Sequence, residues 1–164
     1  MKPSVPILIV DDRPKNLAVL ESVLDSPDYH LVMVRSAQDA LLALLNTEFA
    51  AVLLDVKMPD MTGYELARLI HGRKANRRLP IIFVSGHRTD ATDVRFGYEA
   101  GGVDYVCKPF DPVVVRTKVE FFAELYRQRA ALAEEAATLR HENARLQHML
   151  AAQESKLRPD ASGN

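Results

Sequence analysis

A chain of 164 residues, 48% of them hydrophobic, has room for one ordinary domain and an appendage, and little room for two full domains. Its 21 basic and 22 acidic residues leave a formal charge of -1, which argues against a general nucleic-acid binder and against a charge-driven disordered chain. The single cysteine, Cys107, cannot form an internal disulfide, and the opening MKPSVPILIVDD has an apolar stretch too short for a signal peptide or a span, so the expectation is a soluble cytoplasmic protein with no membrane role.

In chain order, the first apolar run, PILIV (6–10), ends on two adjacent acids, Asp11 and Asp12. Neighbouring like charges repel, so a third group must favour the pairing, and a cation is the natural one. Further short runs follow: HLVMV (30–34), AVLLD (51–55), PIIFVS (80–85) and VDYVC (103–107). Between them lie segments such as KNLAVLESVLDS and AQDALLALLNT, whose apolar residues recur every three or four positions. This alternation predicts five strands and five helices. Strands so uniformly apolar are expected to be buried on both faces, in a parallel sheet with right-handed crossovers. The fold expectation is a doubly wound α/β domain of flavodoxin-like strand order 2-1-3-4-5.

In such a sheet, residues just past each strand share one carboxyl edge, where ligands bind. Asp11 and Asp12 follow strand one, Asp55 closes strand three, Ser85 closes strand four and Lys108 follows strand five. The block LLDVKMPDMTGYE puts a Met-Pro turn after Asp55 and a Gly63 suited to the entry of the next helix. Three acids meeting at one edge suit Mg²⁺, a hard cation held by a few carboxylates and phosphate oxygens. A carboxylate beside such an ion can act as nucleophile toward a phosphoryl group. Lys108 then offers a point charge and Ser85 a hydroxyl to the phosphoryl oxygens. The basic stretch HGRKANRR (71–78) falls at the opposite edge and reads as a solvated loop, and Cys107 reads as a small buried hydrophobe.

The last helix is predicted to start at Asp111-Pro112, a cap followed by a first-turn proline, and to run unbroken to Pro159. About 45 helical residues span roughly 70 Å, more than a domain of this size covers, so the far end is expected to project. Leu125, Leu132, Leu139 and Leu146 repeat every seven residues, with Phe122, Arg129, Ala136 and Asn143 three positions before each, and Leu150 and Leu157 continue the seam. This reads as a parallel coiled coil and a homodimer, weakened by its Arg, Ala and Asn seam positions.

On the acid pair in IVDDRP, the block LLDVKMPDMTGYE, the run IIFVSG and the block GYEAGGVDYVCKPF, the chain resembles the response-regulator receiver family over residues 5 to about 125. The resemblance implies Asp55 as phosphoacceptor, Asp11 and Asp12 as Mg²⁺ acids and the backbone carbonyl of Lys57 as a further metal ligand. It implies Ser85 as the switch hydroxyl, Lys108 as the lysine that meets the phosphoryl group and Tyr105 as an aromatic that changes rotamer. It further implies a partner, a histidine kinase or phosphotransfer protein, and a signalling role rather than an enzymatic one. Lys57 and His87 fall on variable positions where the family tunes phosphoryl hydrolysis. The expected organisation is a receiver domain over 1–125, a coiled-coil extension over 126–157 and a disordered tail over 158–164.

Other readings are weaker. Aspartyl phosphatases carry a second acid two residues after the nucleophile, where this chain has Lys57. A flavin or nucleotide binder needs a Gly- or Ser/Thr-rich loop that strand one does not lead into. The approach to the seam, RTKVEFFAELYRQRA, lacks the dense basic block of a DNA-binding zipper. His141 and His148 fall on outward positions of the heptad frame and read as solvated histidines. Receivers extended in this way resemble those that precede an output module, so either a longer chain or the dimer itself is the expected output.

Overall fold

The structure, a computed structural model, describes residues 3–86 and 91–158, the side chains of 91–93 excepted. In chain order it contains β1 (Val5–Val10), α1 (Pro14–Leu24), β2 (Tyr29–Val34), α2 (Ala37–Asn46), β3 (Ala51–Asp55), α3 (Gly63–Gly72), a 3₁₀ turn (Lys74–Asn76), β4 (Ile81–Ser85), α4 (Ala91–Glu99), β5 (Asp104–Cys107) and α5 (Pro112–Leu157). All the strand pairs are parallel, in the order β2-β1-β3-β4-β5. The expected flavodoxin-like order is therefore the one observed.

Alternate residues of the central strands feed two cores. Ile7, Ile9, Leu53, Ile82 and Val84 face α1 and the start of α5, where Val115, Val119 and Ala123 recur at every fourth position and are buried. Leu8, Val10, Val52, Leu54, Ile81 and Phe83 lie on the opposite side with Ala40 and Leu44 of α2 and Leu66 and Ile70 of α3. β1, β3 and β4 carry apolar residues on both faces for this reason. The expectation of two-sided burial fails at the edges: β2 is only half-buried, with His30 exposed, and in β5 only Val106 is fully buried. Cys107, expected to be buried, is exposed, because it ends an edge strand that has a neighbour on one side only.

Local signals start the helices. Ser36 caps α2 by accepting from Asp39 N at 3.1 Å, and Asp111 Oδ1 accepts from Val113 N at 2.8 Å at the start of α5. Thr62 and Glu65 close a reciprocal capping box on α3, and the Thr62 backbone bond holds the Glu65 carboxyl below its ordinary range. The basic stretch 71–78 ends α3 and forms the 3₁₀ turn, with Arg73, Lys74, Arg77 and Arg78 exposed.

The chain divides into two compact units, Met1–Tyr126 and Arg127–Asn164, with the boundary inside α5. In the second unit Leu132, Leu139, Leu146, Leu150 and Leu157 are all exposed. Among the described residues no helix is long and apolar enough to cross a membrane. Residues 159–164, most of the expected tail, lie outside the described residues.

Candidate functional site

Strand register assembles the site. Val10 pairs with Leu54, so the next residue of each strand, Asp11 and Asp55, stand side by side at the carboxyl edge. Asp55 pairs with Val84, which leaves Ser85 one step beyond it, and Ser85 pairs with Cys107, which delivers Lys108. The Lys108 amide donates to Ser85 O at 2.7 Å, and the Lys108–Pro109 peptide is cis.

Oxygens of Asp11, Asp12 and Asp55 lie within 4.8 Å of one another. Both oxygens of Asp11 are engaged: Oδ1 accepts from Arg13 N at 2.9 Å and Asn16 Nδ2 at 3.1 Å, and Oδ2 faces Lys108 Nζ at 3.0 Å. The same ammonium reaches Asp55 Oδ1 at 3.1 Å. One ammonium thus pairs with two carboxylates of a three-acid cluster. Burial pushes the Asp55 carboxyl above its ordinary 3.8; Asp11 and Asp12 raise it further, and the Lys108 hydrogen bond and charge oppose the rise without cancelling it. Asp12 Oδ1 is a buried oxygen without a hydrogen-bond partner among the described residues. An orphaned buried acceptor beside two other carboxylates fits a divalent cation, which would satisfy the oxygen and balance the charge together.

The other expected residues occupy graded positions. Ser85 is buried at the end of β4, and Lys57 is exposed in the loop after β3, two residues past Asp55. Tyr105 is half-buried in β5, its ring centroid 5.3 Å from that of Phe83. His87 lies outside the described residues. Three contributors went unread in the sequence. Arg35, just past β2, reaches the Asp12 carbonyl at 3.3 Å with Nε and Nη2, and its position as the residue after a strand was the available signal. Asn16 braces Asp11, and Tyr64 meets Tyr105.

Gly63 has a stricter role than helix entry. A Cβ there would stand 2.3 Å from the Asp55 carbonyl oxygen and 3.1 Å from Val56 Cα, backbone atoms that cannot swing aside. Gly63→Ala is therefore expected to destabilise the fold by about 1–3 kcal/mol through overpacking. Urea unfolding measures it, and an unchanged midpoint would contradict the close approach.

A family model described as "Response regulator receiver domain" matches residues 7–120. The chain belongs to this family. As a receiver it is 35% identical over 126 residues to a Vibrio cholerae protein named "Probable cyclic di-GMP phosphodiesterase", covering 77% of this chain and 28% of that one. It is similar to a solved response regulator receiver domain protein of Methanospirillum hungatei, with TM-score 0.69 and 28% identity, covering 77% of this chain and 99% of the other. A third likeness, with TM-score 0.67 and 28% identity over 74% of this chain and 99% of the other, is the receiver domain of a Pseudomonas aeruginosa sensor histidine kinase with a magnesium ion coordinated in its active site cleft. The receiver spans less than half the length of the curated relatives it matches. A receiver is a signalling domain of two-component systems and not a classical enzyme.

Proposed function

We propose that this receiver accepts a phosphoryl group on Asp55 from a histidine kinase, a phosphotransfer protein or a small phosphodonor. The observation that carries the reading is the meeting of a buried Asp55 with Asp11, Asp12 and the Lys108 ammonium at one sheet edge. An Asp55 carboxylate oxygen attacks phosphorus, the phosphorus–nitrogen bond of the phosphohistidine breaks, and the imidazole leaves with the electron pair and takes up a proton. Lys108, held between Asp11 and Asp55, transfers one hydrogen bond to a phosphoryl oxygen, and Ser85 donates its hydroxyl to another. Asp11, Asp12, Asp55 and the Lys57 carbonyl would hold Mg²⁺, which when bound supplies charge neutralisation for the remaining phosphoryl oxygen.

Phosphoryl incorporation from acetyl phosphate, read by intact mass, tests the transfer. The metal is tested separately. Mg²⁺ at a hundred times its dissociation constant is expected to stabilise the receiver by about 2.7 kcal/mol, and Asp12→Ala to abolish that gain. A thermal midpoint that ignores Mg²⁺ in the parent, or rises equally in the variant, would contradict the assignment.

The exposed leucine seam supports a second part of the reading, a parallel homodimer through residues 126–157. With Arg129, Ala136 and Asn143 in its core, such a seam is marginal, and a local switch of a few kcal/mol can shift its pairing. Phosphorylation repacks the elements around Tyr105 and biases α5. Interhelical spin-label distances along the seam are expected to change with phosphorylation; distances and mass that both stay fixed would remove this output.

A further inference from the structure

Tyr105 has a partner on α3. Its Oη donates to Tyr64 Oη at 2.7 Å, across 41 residues of sequence. Both rings pack on the same buried Phe83, with centroids 4.9 Å from it for Tyr64 and 5.3 Å for Tyr105, and Tyr98 of α4 stands edge-on to Tyr105 at 6.3 Å. The half-buried Tyr105 ring is thus turned inward, over Phe83.

Space for that orientation comes from a residue without a side chain. A Cβ on Gly97, in the last turn of α4, would lie 1.9 Å from Tyr105 Oη and 2.4 Å from its Cε2 and Cζ. Its three nearest neighbours would all be tip atoms of that one ring, so an alanine would displace the ring and leave the helix backbone in place. Glycine is a weaker helix former than alanine, so position 97 gives up helix propensity and gains room for Tyr105. The hydrogen bond and the gap are independent observations, and both favour the same rotamer.

We propose that Tyr64 is a positioning residue for Tyr105: its hydroxyl, with the gap at Gly97, holds the Tyr105 ring inward. α3, α4 and β5 are then joined through one aromatic contact. A phosphoryl group on Asp55 then acts on a ring whose rotamer Tyr64 and Gly97 already bias. The functional consequence rests on the proposed role of Asp55 and Tyr105; the rotamer itself does not.

The test uses the full chain with 3-fluorotyrosine at position 105 and no phosphodonor, so failure of phosphoryl transfer cannot be mistaken for failure of the latch. The ¹⁹F spectrum of the parent is expected to show a dominant inward population. Tyr64→Phe keeps the ring and removes only the hydroxyl, and is expected to shift the inward-to-outward ratio about fivefold toward outward, the worth of one ordinary hydrogen bond. Gly97→Ala, which favours the helix, is expected to remove the inward signal. A parent that is mainly outward, or a Tyr64→Phe spectrum identical to the parent's, overturns the proposal. An inward signal that survives Gly97→Ala overturns it as well.

Discussion

Lys108→Ala is expected to destabilise the metal-free receiver by about 3 kcal/mol at neutral pH, the order of loss seen when one partner of a buried ion pair is removed. The Lys108 ammonium is 3.0 Å from Asp11 and 3.1 Å from Asp55, two acids almost sealed from solvent, and its removal takes that cation away from three clustered carboxylates. The pH dependence has a definite sign. The Asp55 carboxyl already sits above 3.8 in the folded chain, and losing its ammonium partner raises it further. A carboxyl raised on folding adds stability that is fully present below its unfolded value and is lost as pH rises through the folded value. The deficit of the variant relative to the parent is therefore expected to be smaller at pH 4 than at pH 7 in urea unfolding. An equal deficit at both would place the effect of Lys108 outside the charge cluster.

The second large effect concerns the seam. Replacing Leu132, Leu139 and Leu146 together by serine is expected to raise the dimer dissociation constant by at least roughly a thousandfold, since each leucine buried in a coiled coil contributes about 1.5–3 kcal/mol. All three are more than half exposed in the single chain, which is the surface the proposed partner helix would cover. Asn143→Leu is expected to act in the opposite direction by replacing a polar seam position. Sedimentation equilibrium decides between these outcomes. A parent that is monomeric throughout the accessible range, or a triple variant that associates like the parent, contradicts the seam.

Much of the site was legible because register turns sequence into proximity. In a parallel sheet of this order, the residues closing β1, β3, β4 and β5 must meet, and Asp11, Asp55, Ser85 and Lys108 announced themselves by type. Burial at the edges was less legible: the expected order already made HLVMV and VDYVC edge strands, but their apolar composition argued for two-sided burial, and Cys107 emerged exposed. Gly63 read as a helix entry, yet its packing against the carbonyl of the phosphoacceptor candidate depends on a backbone approach that no spacing encodes. The Tyr64–Tyr105 bond and the gap at Gly97 were hidden for the same reason, since three residues on α3, α4 and β5 meet only after the sheet has formed.

Phosphoryl labelling of Asp55 is the most direct test of the central claim. Incubated with acetyl phosphate and Mg²⁺, the receiver is expected to gain one phosphoryl group per chain, located at Asp55 by peptide mapping and lost on chelation or in Asp55→Asn. Labelling of Asp55→Asn at the parental rate, or labelling that a chelator leaves untouched, would contradict the account.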